Sequence, residues 1–466
     1  MAEPSVRKRI WGWWFFDWAS QPYHTVLLTF IFGPFFAQIA SRYFTDQGLD
    51  EQAADAWAQS YWSWTLTATG LIVALGGPVM GALADTSGRR LPWIAVFSVM
   101  TVVGAALLWT TNPDGSNLIW ALAFFGFGFL GAEFALIFTN AQLPGLGTRD
   151  EIGKISGSGF AFGYTGGLIA LAILLVFFVA QPGGRTIAGL VPVFGLDPDA
   201  REGTRAAGPF VALWFAVFMV PYFLWVREVR DTARRASWGA AMAQLGGSIR
   251  GLRRRPSLFA YLGGSMFYRD ALNGLYAFGG TYAALVLNWE ITVIGIFGIV
   301  SGLAAAGFSQ IGGLADRRFG PKPVIVVAIL GLIGVCVVAA SMSREVFFGI
   351  PLAPGSTLPD AVFFGCGMLI GGLGGVLQAA SRSLMVRHAE PSTATEAFGL
   401  YGLSGRATAF LAPALIGAVT AATGNARYGV IPLIFLFLVG LLLLRWVEAG
   451  GDRAEPWAEE QAPSPS

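Results

Sequence analysis

The chain has 466 residues, of which 55% are hydrophobic and only 12% are charged, and its mean hydropathy is +0.60. Soluble globular domains have roughly 45–50% apolar and about 25% charged residues. These values exclude a soluble fold and predict a polytopic membrane protein, and a formal net charge of +2 is too small to indicate nucleic acid binding. Both cysteines, Cys336 and Cys366, lie in apolar runs and are expected to be buried free thiols.

Apolar segments recur along the whole chain, each with at least the roughly 17–20 residues that a helix needs to cross the hydrocarbon core. Helices are expected because a spanning segment must satisfy its own backbone hydrogen bonds in lipid. Six segments precede a long polar stretch and six follow it. The predicted spans are 12–40, 60–84, 91–111, 118–142, 156–180, 208–226, 258–287, 291–315, 323–342, 359–386, 397–422 and 428–446.

This pattern predicts an all-α polytopic membrane protein with twelve transmembrane helices in two six-helix bundles. Residues 1–226 would form the first bundle and residues 258–448 the second. The basic linker 227–257 is expected to contact anionic lipid, and the short, acidic, Pro-rich tail 449–466 is expected to be disordered.

The basic residues predict the orientation. If the N-terminus is inside, the inner connections hold most of the Lys and Arg residues, including eight arginines between Arg227 and Arg255. Basic residues are retained on the cytoplasmic side. Both termini are therefore expected in the cytoplasm of a multi-pass protein of the cell membrane.

A short charged string occurs twice: Gly81 to Arg90 reads GALADTSGRR, and Gly312 to Lys322 reads GGLADRRFGPK. Its first glycine lets a neighbouring helix come close, its aspartate can charge a helix end, and its later glycine permits a sharp turn. Short cytoplasmic loops can also hold such residues for solubility and topology. Recurrence at matching positions of two halves instead predicts a conformational latch. Its predicted residues are Gly81, Asp85, Gly88, Arg89, Arg90, Asp316, Arg317, Gly320, Arg382 and Arg406.

The string at Gly81 to Arg90 resembles the signature cytoplasmic loop of major facilitator superfamily transporters, and the second copy resembles its C-terminal counterpart. Further strings are similar to the vacuole-effluxer-like branch, whose fungal members are autophagy-related exporters of amino acids from the vacuole. They are WFFDWASQPY ending at Tyr23, FTNAQLP at Phe138, SGFAFGYTGG at Ser158, QAASRSL at Gln378 and EAFGLYGLSGRAT at Glu396. The resemblance implies two pseudo-symmetric bundles, a central cavity and alternating access.

Polar residues inside apolar spans are costly and normally face a cavity or a partner. In span one, Asp17, Gln21 and His24 share a helical face beside Pro22, where a kink is expected. Asp17 could instead sit at the interface and pair with an arginine. In span four, Glu133, with Asn140 after it, could carry a proton or form a structural ion pair.

Span seven has the most polar cluster inside a predicted helix. Asp270 and Asn273 share a face and, together with Tyr276, could bind a zwitterionic or hydroxylated solute, while adjacent Arg269 reaches a different neighbour. An ion-pair network within the bundle is the alternative.

Span ten carries Gln378 and Arg382 on one face near its cytoplasmic end. We expect Arg382 to complete the latch by pairing with Asp316, although it could contact an anionic group of the solute. Arg406 is expected to pair with Asp85 or Glu133.

Together these features predict a monomeric secondary transporter that exports a small polar solute, such as an amino acid, with proton coupling and no cofactor. A membrane-embedded lipid-modifying enzyme would need a cluster of nucleophiles, acids or metal ligands, but the chain has only two histidines, His24 and His388, outside ligand spacing. No metal site is expected. A transporter-derived receptor or sensor is the other alternative.

Overall fold

The computed structural model describes residues 4–148, 150–181, 183–227, 238–289, 291–390, 393–423 and 425–451. These residues are mostly helical, and Val346–Phe347 (β1) and Ile350–Pro351 (β2) form a small antiparallel ribbon. The helices are α1 Val6–Pro22, α2 Phe32–Asp46, α3 Glu51–Ser87, α4 Leu91–Leu107, α5 Leu118–Asn140, α6 Ile152–Phe177, α7 Glu202–Arg205, α8 Ala207–Trp225, α9 Trp238–Gly251, α10 Pro256–Leu285, α11 Ile291–Phe319, α12 Pro321–Ser341, α13 Leu358–His388, α14 Ala394–Ala407, α15 Leu411–Thr423 and α16 Ile431–Leu444.

Ten helical segments of the described ranges are long and apolar enough to cross a membrane. The predicted all-α polytopic fold is therefore confirmed. The other two predicted spans, 258–287 and 397–422, coincide with α10 and with the pair α14 and α15. The total of twelve spans stays a prediction. Residues 228–237 of the predicted linker and residues 452–466 of the predicted tail lie outside the described residues, and helix α9 lies in the described part of the linker.

Two predicted spans are interrupted helices. In the first, a π-helical segment, Tyr23–Phe30, follows Pro22 and ends where the Ile31 amide donates to the Val26 carbonyl at 2.9 Å. Proline has no amide hydrogen to donate, and such positions favour kinks and wider turns. The eleventh predicted span, 397–422, is wrong as one continuous helix, because a turn at 408–410 separates α14 from α15.

The described residues fall into two compact units. The first lies within Met1–Gly76, Ser87–Thr139 and Phe162–Arg234, and the second within Gly77–Thr86, Asn140–Ala161 and Arg235–Ser466. The second unit thus includes the end of α3 and the segment joining α5 to α6, although both precede the predicted boundary at 226. The predicted division into sequence halves remains a prediction.

An aromatic core holds the first unit together. The rings of Phe32, Phe125 and Phe129 stack in sequence, with centroids 6.2 and 5.8 Å apart. Tyr23 is fully buried beside them, and its hydroxyl donates to the Phe125 carbonyl at 2.7 Å. A buried tyrosine hydroxyl needs such a partner. This bond fixes the π-helical segment against α5 and so positions the residue that follows, His24.

In the second unit, α13 packs against both α11 and α12. Gly371 permits the closest approach, since a Cβ there would lie 2.0 Å from the carbonyl oxygen of Ser301. The backbone of α13 therefore touches that of α11, as small residues allow in membrane helices. This packing fixes the polar end of α13, from Gln378 onward, within the unit.

Candidate functional site

A histidine and a glutamate meet inside the spans of the first unit. His24 Nε2 lies 4.0 Å from Glu133 Oε1, and the two side chains are 30% and 13% exposed. The edge of the imidazole also packs against the Phe129 ring, with centroids 5.8 Å apart. Both residues were predicted from the sequence as candidate site residues, but their contact with each other was not predicted. The two ionisable side chains are therefore within ion-pair distance whenever the imidazole is protonated.

The rest of the predicted stripe in span one faces α6. A Cβ at Gly163 would lie 3.2 Å from Asp17 Cβ, and one at Gly167 would lie 2.8 Å from Gln21 Cγ. Asp17 is only 9% exposed, and Gln21 Nε2 donates to Thr25 Oγ1 at 3.4 Å. His24, at the start of the π-helical segment, instead contacts Glu133 and Phe129 of α5.

In the second unit, Asp85 lies at the start of α14. This carboxylate is 3% exposed and accepts hydrogen bonds from Thr395 Oγ1 at 2.7 Å, from Thr395 N at 3.4 Å and from Glu396 N at 3.0 Å. A Cβ at Gly81 would lie 2.7 Å from the Thr395 carbonyl oxygen, so glycine is needed one turn earlier. Asp85 thus caps a helix that begins about 310 positions later in the chain, where the helix dipole favours a negative charge.

The second copy of the motif has a related arrangement. Asp316, which is 1% exposed, lies at the start of α6, where a Cβ at Gly153 would be 2.3 Å from the Asp316 carboxyl carbon. Ser383 and Arg387 of α13 are near this carboxylate, yet neither of its oxygens has a hydrogen-bond partner among the described residues. The two copies therefore share a location at a helix start but differ in hydrogen bonding.

Arg382 does not form the predicted pair with Asp316. Its Nε and Nη2 donate to Ser156 Oγ and to the Ser156 carbonyl at 2.9 and 2.8 Å, and its Nη1 donates to Asn140 Oδ1 at 3.2 Å. The guanidinium carbon lies 4.3 Å from the Phe160 ring centroid. A planar guanidinium suits such forked and stacked contacts, and these satisfy Arg382 without the carboxylate. Asn140 is consequently part of this contact.

The remaining latch residues lie at the turns. Gly88 and Gly320 have φ values of +64° and +82°, a conformation that glycine adopts at helix ends without strain. Arg89 and Arg317 are exposed, and Arg90 is half-buried. The side chain of Arg406 lies outside what the structure describes, so its predicted pairing stays a prediction.

The polar residues predicted as one cluster in span seven lie on two different sides of α10, one buried and one exposed. Asp270 is 1% exposed, and its Oδ2 accepts a hydrogen bond from Ala412 N at 3.1 Å, in the first turn of α15. Arg269 Nη1 donates to the Tyr401 carbonyl at 2.9 Å, and its guanidinium carbon lies 4.2 Å from the Tyr401 ring centroid. Both side chains reach the region where α14 and α15 join.

Asn273 and Tyr276 lie on an exposed side of α10 instead. The Tyr276 hydroxyl accepts a hydrogen bond from Gln378 Nε2 at 3.5 Å. The structure thus brings Tyr276 and Gln378 together and separates them from the buried Asp270. The two carry hydroxyl and amide groups that can bind a polar solute.

Sequence reasoning missed several residues in these contacts. Ser156, Gly153 and Gly157 belong to a run of small residues, GKISGSG, and a Cβ at Gly157 would lie 2.6 Å from Gly313 Cα. Such a run is the available signal for close helix packing. Thr395 lacks even this signal, because an isolated threonine is common at any helix start.

Comparison with known proteins identifies the family. The model of the family described as vacuole effluxer Atg22 like matches residues 5–455. The uncharacterized MFS-type transporter YxiO of Bacillus subtilis (strain 168) is 25% identical over 439 residues, covering 94% of each chain. Autophagy-related protein 22 of Cryptococcus neoformans var. neoformans serotype D (strain B-3501A) is 25% identical over 321 residues, covering 66% of this chain and 55% of the fungal protein.

Among solved structures, the proton:xylose symporter XylE has the same fold. The TM-score is 0.72 at 12% sequence identity, and the match covers 95% of this chain and 96% of that one. These findings confirm the resemblance that the sequence motifs indicated. The chain belongs to the vacuole effluxer Atg22-like family and is a membrane transporter of the major facilitator superfamily, not an enzyme.

Proposed function

We propose that this transporter is a proton-coupled secondary carrier that exports a small polar solute, such as an amino acid, by alternating access. The observation that carries the proposal is the pair His24 and Glu133, whose side chains lie 4.0 Å apart and are both partly accessible. An imidazole changes its charge near neutral pH, and a neighbouring carboxylate can share the proton. The pair is the proton-carrying site.

Alternating access requires contacts that are either made or broken. The buried Asp85 at the start of α14 and the buried Arg382 against Ser156 supply such contacts. Each of these two contacts consists of several hydrogen bonds, so a small separation of the helices would break all the bonds of that contact at once. These residues act as the latch, and the proton-carrying pair lies elsewhere.

The proposed class of solute rests on the polar groups where α10 meets α13 and on the relatives. Tyr276 and Gln378 present a hydroxyl and an amide on a partly exposed surface. The family description names a vacuole effluxer, and the structural neighbour is a proton:xylose symporter. The first description supports export, and the second, in which the solute is a sugar, supports a small polar solute. We place the protein as a monomer in the cell membrane with both termini cytoplasmic.

Transport by purified protein in proteoliposomes tests this function. A panel of radiolabelled amino acids and sugars is first screened by counterflow, which needs no net proton movement. With one proton per solute, a gradient of one pH unit sustains about a tenfold ratio of solute concentrations. We expect His24→Gln and Glu133→Gln to keep counterflow but to lower this ratio to about one, because the proton-carrying pair is lost.

Glu345→Gln is the matched control, since Glu345 is an exposed carboxylate in the loop that carries β1. It should behave as the parent protein does. The absence of counterflow for every solute in the panel would contradict the carrier function. Full gradient-driven accumulation in both span variants would remove proton coupling through this pair.

A further inference from the structure

An apolar groove opens on the outer surface of the second unit, between α11 and α12, with α13 beneath it. Its volume is about 540 Å³. Buried Val324 and Val376 form part of its floor, while Ile311, Phe319 and Val327 at its rim are 63–65% exposed. Every lining side chain is apolar. The groove is therefore unsuited to a polar solute and suited to a hydrocarbon chain.

The length of the groove matches one leaflet of a bilayer. Along α11 it runs from Phe308 to Phe319, twelve residues whose eleven steps of about 1.5 Å give a length of about 16 Å. Half of the hydrocarbon core of a bilayer is about 15 Å thick. Its end at Phe319 lies next to Gly320, where α11 turns into α12. An acyl chain that enters at this turn would fill the groove to the middle of the membrane.

The mouth of the groove is positively charged. Arg317 and Arg318 are both exposed there, and the Arg318 guanidinium carbon lies 5.2 Å from the ring centroid of Phe319, which lines the groove. The only acidic residue from 291 to 341 is Asp316, which is buried at the start of α6. No exposed carboxylate of this helix pair thus offsets the two arginines.

We propose that this groove binds one anionic phospholipid, with an acyl chain between α11 and α12 and the headgroup phosphate held by Arg317 and Arg318. Forked guanidinium donors match phosphate oxygens, and basic side chains at a membrane surface attract anionic lipid. The apolar groove alone would accept any lipid tail. The arginines add the selectivity for a negative headgroup. The second copy of the repeated motif is accordingly a lipid site as well as part of the latch.

Native mass spectrometry of the full chain in detergent tests this site, with dioleoyl phosphatidylglycerol and dioleoyl phosphatidylcholine as probes. The parent protein should retain one phosphatidylglycerol with about a 30-fold preference over phosphatidylcholine, because two arginines face the headgroup. Ala315→Trp places a large ring in the groove and should abolish this retention. Leu314→Trp is the matched control, because Leu314 is exposed on the same helix but does not line the groove. It should retain lipid as the parent does.

Arg317→Gln combined with Arg318→Gln should make the two lipids bind equally. Both positions are exposed, so this variant decides the question even if Ala315→Trp fails to fold. Equal retention of the two lipids by the parent overturns the proposal, and so does undiminished retention by folded Ala315→Trp. A second copy of the chain on this face would yield a disulfide-linked dimer of Val327→Cys in liposomes, which also overturns it.

Discussion

Replacing Asp85 with alanine is expected to break the contact between the end of α3 and the start of α14. The carboxylate accepts hydrogen bonds from the Thr395 hydroxyl and from the amides of Thr395 and Glu396. Alanine supplies no acceptor, so these amides lose their cap. The helix dipole at this end also loses its negative partner.

The magnitude follows from these bonds. Hydrogen bonds to a charged group contribute about 1.5–3 kcal/mol each, but a buried carboxylate has already lost much of its hydration, which offsets part of the gain. Loss of a helix cap costs about 1 kcal/mol on its own. We therefore expect about 2 kcal/mol for Asp85→Ala, which is about a 30-fold shift toward the broken contact. Asp85→Asn keeps one acceptor oxygen and should cost about 1 kcal/mol, or about fivefold.

Cysteine accessibility measures this shift. Ala394 is fully buried at the start of α14, so a cysteine there reacts with a maleimide only when the contact is broken. The natural cysteines, Cys336 and Cys366, are buried and are first replaced by alanine. The labelling rate of Ala394→Cys should rise about 30-fold with Asp85→Ala and about fivefold with Asp85→Asn.

Asp316→Ala is the matched control, because it removes a buried carboxylate of the same repeated motif that lies at the start of α6 rather than at the start of α14. It should change the labelling rate much less. An unchanged rate in Asp85→Ala would refute the reasoning. An equal rise in the two alanine variants would show that loss of either buried carboxylate loosens the fold, and would also refute a specific role for the hydrogen bonds of Asp85.

Two further substitutions test the other buried charges. Arg382→Lys keeps the charge but cannot reproduce the forked hydrogen bonds to Ser156 and Asn140. We expect the free energy of unfolding, measured by thermal unfolding of the purified protein, to fall by about 3 kcal/mol. An unchanged melting temperature would mean that these hydrogen bonds contribute little to stability. Asp270→Ala should lower stability by about 1 kcal/mol because it uncaps α15, whereas Asp270→Asn retains an acceptor for Ala412 N and should resemble the parent. Loss of gradient-driven transport in Asp270→Asn at an unchanged melting temperature would instead assign Asp270 to the proton pathway.

The repeated motif and the span-seven cluster show how far sequence reasoning reaches. Asp85 and Asp316 were both expected at helix ends, and both lie at the starts of helices distant in sequence. Arg382 was assigned the wrong partner. An arginine in an apolar span must find acceptors, but the sequence does not say which helix supplies them. Here close packing of glycines and serines on α6 brought Ser156 within reach.

Composition and periodicity by themselves determined that this chain is an all-α membrane protein, because a bilayer admits few other ways to satisfy the backbone. The sequence motifs determined its family. The polar residues inside apolar spans, whose burial costs free energy, indicated where a solute or a proton could bind. Only the tertiary structure decided which of these residues meet. His24 contacts Glu133 of α5 whereas Asp17 and Gln21 face α6, and Asp270 caps α15 whereas Tyr276 contacts Gln378 of α13. Such pairings depend on helix contacts between distant segments, which no local pattern encodes.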